Sequence, residues 1–182
     1  MISKKNLPNY ITYLRIAIIP ALTLVFFLKG EWSYYLGTIL FFIAGVSDWL
    51  DGYLARIWHV ESSLGRVLDP IADKLLVATA LLLLVATQRA DLLPAIAIVC
   101  REILVSGLRE FLAEIRIGMP VSKLAKIKTG AQMVAIGCLL LGAGAPGWLP
   151  AELMGRILLW IAALLTLVTG YAYLRVGLKH MS

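Results

Sequence analysis

The sequence predicts an all-α membrane protein with six transmembrane helices. The chain has 182 residues, of which 60% are hydrophobic, whereas a soluble domain is usually about 45–50% apolar. A bilayer core of roughly 30 Å needs about 20 apolar residues per helix, so this length permits about six crossings with short loops. No shift in composition marks a second domain, and residues 1–182 are predicted to form a single membrane domain.

Glycine, proline and polar residues interrupt the apolar pattern and set the bounds of the predicted helices. Residues 1–10 are polar, contain Pro8, and are predicted to form a short N-terminal interfacial segment. No cleavage-type boundary follows Lys4 and Lys5, so the first apolar segment is predicted to be a retained helix. The six helices are predicted over residues 11–29, 33–57, 65–87, 92–116, 122–145 and 149–177.

Basic residues are distributed unequally between the two sides of this arrangement. With the N-terminus in the cytoplasm, most Lys and Arg residues fall on the cytoplasmic side, and the other side receives only Lys29, Arg89 and Arg156. The positive-inside rule therefore predicts a multi-pass protein of a bacterial-type inner membrane with both termini cytoplasmic. The net charge of +6 is assigned to this topology and to anionic membrane lipids, and no nucleic-acid partner is expected. This topological role is also assigned to Arg116, Lys123 and Lys128.

Four aspartates lie at the predicted cytoplasmic ends of the second and third helices: Asp48, Asp51, Asp69 and Asp73. The first two are three positions apart and the last two are four apart, so each pair shares a helix face. Clustered carboxylates in a low dielectric repel one another unless cations neutralise them. An oxygen-only set without His or Cys suits Mg²⁺ or Mn²⁺, and two such ions about 3.5–4 Å apart can clamp a phosphoryl group.

Small residues and one arginine accompany the aspartates. Gly52 and Ala55 lie on the helix face of Asp48, and Gly65 precedes Asp69 by about one turn. They leave room for a ligand to approach the helix backbone, although small residues are also typical of close helix packing. Arg56 keeps its charge at all relevant pH values and can contact phosphate.

The complete pattern resembles the signature of the CDP-alcohol phosphotransferase family, and every fixed position is present: Asp48-x2-Asp51-Gly52-x2-Ala55-Arg56-x8-Gly65-x3-Asp69-x3-Asp73. The resemblance implies a six-helix membrane enzyme, usually a homodimer. Such an enzyme transfers a phosphoalcohol group from a CDP-linked donor to a hydroxyl acceptor and releases CMP.

The resemblance also implies roles for individual residues. Asp48, Asp51 and Asp69 are implied to be the principal metal ligands. Asp73 is implied to be a metal neighbour and the general base. The CDP site is implied to include Asp48, Asp51, Gly52, Ala55, Arg56, Gly65 and Asp69.

Three further segments are similar to family members that use CDP-diacylglycerol as donor and glycerol 3-phosphate as acceptor. They are Asn6–Arg15, Arg101–Glu110 and Lys126–Gln132. One departure is Ala125, where glycine is expected before the lysine; this exchange of one small residue for another does not disturb the match.

A dianionic acceptor such as glycerol 3-phosphate needs fixed cations. Arg109 and Lys126 lie at the predicted cytoplasmic ends of the fourth and fifth helices and are the predicted phosphate ligands. The resemblance adds Thr12 and Tyr173 as weaker candidates. Arg101 and Glu102 lie within the fourth helix and are expected to pair with polar groups on other helices.

Two alternatives stay open at this point. Within the same enzyme class, the acceptor could be inositol phosphate, serine or phosphatidylglycerol. In a different class, six helices with intramembrane carboxylates could form a cation transporter or channel. That alternative predicts charged groups along a path through the membrane, whereas the aspartates of this chain cluster at one side.

Overall fold

Six helices make up the part of the chain that the structure describes. The computed structural model describes residues 7–28, 30–58, 63–115, 117–118 and 122–181, and at positions 7–10, 48–58, 63–67 and 178–181 it describes only the backbone. Within these ranges there is no strand, and the predicted all-α class is confirmed. The helices are α1 (Leu7–Val25), α2 (Trp32–Trp58), α3 (Ser63–Ala86), α4 (Leu92–Glu114), α5 (Lys123–Leu141) and α6 (Ala151–Met181), with a short 3₁₀ turn at Gly142–Gly144.

Helix α1 is displaced along the sequence from the predicted segment 11–29. It begins at Leu7 and includes Pro8 in its first turn, where a missing N–H costs no helical hydrogen bond. It ends at Val25, and the N–H of Phe27 then donates to the carbonyl of Leu24 at 3.0 Å in a tighter turn. Residues 7–10 therefore extend α1, and the rest of the predicted interfacial segment lies outside the described residues.

The helices pack as a closed ring rather than in chain order. Each helix packs closely on two neighbours, and the order around the ring is α1, α2, α5, α6, α4 and α3. Successive helices run in opposite directions, so the start of α1, α3 and α5 and the end of α2, α4 and α6 share one end of the bundle. The sequence separates these segments widely, and the ring brings them together.

An apolar core fills the centre of the ring. It includes the fully buried Leu22, Leu84, Ile98 and Leu159, one from each of four helices. The closest contact between α5 and α6 depends on Gly155, where a Cβ atom would lie 2.7 Å from the Cγ atom of Leu139. This core fixes the relative positions of the helices whose ends carry the polar residues.

Two described helices have the length and apolar character needed to cross a membrane. They span Lys123–Gly144 and Ala151–Gly177, and the apolar stretches Ile11–Val25 and Trp32–Ser47 are shorter. Helices α3 and α4 are interrupted by charged residues. The surface exposes large apolar side chains on several helices, among them Leu24, Phe42, Leu82 and Leu164 at 60–69%, which is unusual for a soluble protein. These features are typical of a membrane protein, and the six-span topology stays a prediction.

Candidate active site

A polar cavity of about 520 Å³ lies at the shared end of α3, α4, α5 and α6. Among the described residues, five basic and two acidic side chains line it: Lys74, Arg101, Arg109, Lys126, Lys128, Asp73 and Glu102. Positive charges in a concave, partly buried site focus the electrostatic field and attract anions. The cavity is therefore suited to a ligand that carries a phosphate group.

Helix α3 places Asp69 and Asp73 one turn apart at this end of the bundle. The Thr12 hydroxyl of α1 donates a hydrogen bond to Asp69 Oδ1 at 2.6 Å. Thr12 is buried and Asp69 is half-buried, whereas Asp73 is exposed and lines the cavity. The packing of α1 on α3 thus orients one carboxylate, and the next carboxylate along the helix lines the cavity.

Two of the four aspartates of the predicted metal site, Asp69 and Asp73, have side chains that the structure describes. Asp48 and Asp51 lie on α2, but their side chains are outside the described residues, as are those of Gly52, Ala55, Arg56 and Gly65. The described side chains alone contain no group of three or more His, Cys, Asp or Glu residues that could hold a metal. Asp69 and Asp73 offer oxygen donors only, and this chemistry fits a hard divalent cation.

The predicted acceptor residues divide into two groups. Arg109, Lys126 and Tyr173 all line the cavity, whereas Thr12 lies beside Asp69. The Tyr173 hydroxyl accepts a hydrogen bond from the N–H of Ser122 at 3.4 Å. Ser122 is the N-cap of α5, and Tyr173 therefore fixes the start of the helix that carries Lys126.

Lys128 has a different environment from the one that the sequence predicts. It is 2% exposed, lines the cavity and contacts Glu102 of α4, so the predicted contact with lipid headgroups is wrong. The expected pairing of Arg101 and Glu102 with other helices is confirmed, because Arg101 Nη2 donates to Thr169 Oγ1 of α6 at 3.2 Å. The sequence contains one signal that could have identified Lys128: Glu102 and Lys128 are oppositely charged residues within two consecutive apolar helices. Such residues are expected to pair.

An apolar groove of about 540 Å³ lies between α2 and α5, farther from the polar end of the bundle. Its walls include Phe42 and Gly45 of α2, and Met133, Gly137 and Leu141 of α5. On α5, Lys126 and Gly130 line the polar cavity, and Met133, Gly137 and Leu141 follow them at intervals of three or four residues. Because such intervals keep residues on one helix face, the cavity and the groove lie in series along α5.

Comparisons with known proteins show which family the chain is similar to. The family model described as CDP-alcohol phosphatidyltransferase matches residues 5–168. A Rickettsia felis protein named CDP-diacylglycerol–glycerol-3-phosphate 3-phosphatidyltransferase is 45% identical over 176 residues, which are 97% of each chain. Proteins of the same name from Rickettsia typhi and Haemophilus influenzae are 46% and 44% identical. Their matches cover 94% and 96% of this chain, and 96% and 94% of the two relatives.

Proposed function

The chain belongs to the CDP-alcohol phosphatidyltransferase family, and we propose that it transfers the phosphatidyl group of CDP-diacylglycerol to glycerol 3-phosphate. The products are phosphatidylglycerophosphate and CMP. The observation that carries this proposal is the cavity in which the Asp73 carboxylate shares the walls with five basic side chains. A base and an anion-binding surface are both needed to activate the hydroxyl of a phosphorylated alcohol. The similar proteins that bear the name of this activity cover nearly the whole chain.

The donor site is proposed to lie between α2 and α3. Members of this family generally depend on a divalent metal, and Asp48, Asp51 and Asp69 are proposed as ligands of Mg²⁺ or Mn²⁺, with two ions bound. When bound, the metal would neutralise charge on the pyrophosphate and on the leaving CMP. Gly52, Ala55, Arg56 and Gly65 would line the CDP group. The hydrogen bond from Thr12 holds the Asp69 carboxylate in one orientation, which supports a positioning role for Thr12.

The acceptor site is proposed to be the polar cavity. Arg109 and Lys126 would bind the phosphate of glycerol 3-phosphate, and Tyr173 would hold the start of α5 in place. The oxygen of the acceptor's primary hydroxyl attacks the phosphorus that bears diacylglycerol, and the bond from that phosphorus to CMP breaks. Asp73 takes the hydroxyl proton, which requires a carboxylate within hydrogen-bond reach of the acceptor. The exposure of Asp73 to the cavity supports this role.

The apolar groove is proposed to hold an acyl chain of CDP-diacylglycerol. Its position in series with the polar cavity matches a ligand with a charged head and an apolar tail. Gly137 leaves open space, because a Cβ atom there would meet no heavy atom within 4 Å.

A Gly137→Leu variant should raise the KM for CDP-diacylglycerol about 5-fold, since a side chain would occupy space that the acyl chain needs. A matched Gly107→Leu variant, also at an open position, should leave this KM unchanged. Equal KM values for both variants would show that the groove is not part of the donor site.

The orientation of the chain in the membrane is part of the same proposal. All six helices would cross the inner membrane, with both termini and the polar cavity at the cytoplasmic side. Lys123 and Arg156 are exposed at opposite ends of the bundle. Cysteines introduced at these two positions in a Cys100→Ser background should react differently with a membrane-impermeant thiol reagent in spheroplasts. Equal labelling would contradict the topology.

The predicted homodimer is tested by the mass of the purified protein in detergent.

The experiment that tests the activity uses the purified full chain in detergent micelles. CMP should form from CDP-diacylglycerol only when glycerol 3-phosphate and a divalent cation are both present, in equal amounts with phosphatidylglycerophosphate. Inositol phosphate, serine and phosphatidylglycerol serve as competing acceptors, and a higher kcat/KM for one of them would identify a different transferase. Flux of Mg²⁺ or Mn²⁺ into liposomes without CMP release would support a transporter instead.

A further inference from the structure

Glu102 lies between two cations on the inner wall of the polar cavity. Its carboxylate contacts Lys128 Nζ of α5 and lies 3.6 Å from Arg101 Nη1 of the same helix. All three side chains line the cavity. The side chains of Lys128, Arg101 and Glu102 are 2%, 11% and 22% exposed. This cluster is therefore much more enclosed than Arg109 and Lys126, which are exposed.

The burial of Lys128 makes Glu102 energetically important. A buried ammonium group costs several kcal/mol unless an opposite charge compensates it, and Glu102 supplies that charge. Arg101 is restrained from further directions, because it donates to Thr169 at 3.2 Å and lies 5.5 Å from the centre of the Tyr173 ring. The side chains of Lys128 and Arg101 are consequently held in place before any substrate binds.

The hydrogen-bonding capacity of the two cations exceeds what Glu102 can use. A lysine ammonium has three donors and an arginine guanidinium has five, whereas one carboxylate engages only a part of them. The remaining donors belong to groups that line a cavity of about 520 Å³. Donors that are fixed in advance bind an anion without the cost of ordering mobile side chains.

We propose that Glu102 is a positioning residue that holds Lys128 and Arg101 as an inner binding surface for the phosphate of the acceptor. Arg109 and Lys126 form the outer part of the same surface. This inference rests on the proposed function and extends it, because it assigns the selectivity for a phosphorylated acceptor to the cluster of Lys128, Arg101 and Glu102. Glu102 acts through the two cations and does not contact the reacting atoms.

The test replaces the carboxylate by an amide of the same size. In Glu102→Gln, Lys128 and Arg101 lose the charge that fixes them, so the KM for glycerol 3-phosphate should rise about 10-fold. The KM for CDP-diacylglycerol should stay within 2-fold. The control is Glu114→Gln, which removes an exposed carboxylate from the end of the same helix and should change neither KM. An unchanged KM for glycerol 3-phosphate, or an equal rise for both substrates, would overturn the inference.

Binding of inorganic phosphate separates this inference from the proposed function. The Kd of inorganic phosphate, measured by calorimetry on the detergent-solubilised full chain, should rise about 10-fold in Glu102→Gln and remain unchanged in Glu114→Gln. If the wild-type protein forms no CMP with glycerol 3-phosphate, the proposed function fails. The Kd of inorganic phosphate in Glu102→Gln still decides the role of Glu102 in that case. If Glu102→Gln does not fold, Glu102→Asp retains the charge with a shorter reach and should raise the Kd about 3-fold. A wild-type Kd in Glu102→Asp would then contradict the positioning role.

Discussion

Helix α4 and its N-cap residue make two ionic contacts with other helices, and the two contacts have different surroundings. Near its start, Asp91 lies 3.5 Å from Arg156 of α6, and the two side chains are 41% and 44% exposed. Near its middle, Glu102 contacts Lys128, which is 2% exposed. The second contact lies on a cavity whose walls contain further charged side chains.

The difference shows why burial is a better guide to function than the presence of an ion pair. An exposed pair keeps most of its hydration, and it contributes about 0–1 kcal/mol to stability. A buried pair costs several kcal/mol in desolvation, so its presence beside an open cavity indicates a use other than stability. The cavity end is therefore expected to respond to substitution through catalysis and substrate binding, and the far end hardly at all.

The largest effect is expected at the cavity end for Asp73→Asn. The amide keeps the size of the side chain but cannot take a proton from the acceptor hydroxyl. Since general base catalysis contributes about 10²–10⁴-fold, kcat should fall at least about 100-fold while the Kd of inorganic phosphate stays unchanged. CMP release in single-turnover experiments measures the loss. Near-normal turnover in the presence of Mg²⁺ would contradict the assignment of Asp73 as the general base.

The sequence predicts the helices and the aspartate motif, but it does not predict the environment of Lys128. Apolar periodicity and the Gly and Pro breaks predicted six helices, and the aspartate spacing predicted a family that the comparisons confirm. The environment of Lys128 was not predictable in the same way, because local spacing does not show that α4, α5 and α6 are neighbours in the ring. Pairing between charged residues 26 positions apart depends on tertiary packing.

In the site too, some features follow from local helix spacing and others depend on tertiary packing. The spacing of Asp69 and Asp73 follows from helical geometry alone. The hydrogen bond between Thr12 and Asp69 joins residues 57 positions apart, and it depends on the packing of α1 against α3. The resemblance selected Thr12 as a phosphate ligand, whereas the structure places its hydroxyl on a predicted metal ligand. The roles of both residues stay predictions.

A smaller effect is expected at the exposed rim of the cavity for Arg109→Gln. Loss of one charged donor should weaken binding of the acceptor phosphate by about 1.5 kcal/mol, which raises the KM for glycerol 3-phosphate about 10-fold. The KM for CDP-diacylglycerol and kcat should change less than 2-fold. Lys123→Gln removes an exposed cation near the same end of the bundle and is the matched control. Equal effects on both substrates would argue that Arg109 supports the fold or the membrane orientation instead of the acceptor site.

The smallest effect is expected at the far end for Asp91→Asn. The substitution removes the ionic contact with Arg156, but an amide oxygen can still accept the hydrogen bond that Trp160 Nε1 donates to Asp91 Oδ2 at 2.8 Å. Arg156 also keeps its hydrogen bond to the carbonyl of Gln88 at 3.0 Å. Because both side chains of the pair are well exposed, the free energy of unfolding should fall by less than about 1 kcal/mol. Thermal unfolding in detergent should show a Tm shift of less than about 3 °C, with both KM values unchanged. A loss of acceptor binding as large as that expected for Glu102→Gln would show that the two ends of the bundle are coupled, and the contrast between them would no longer hold.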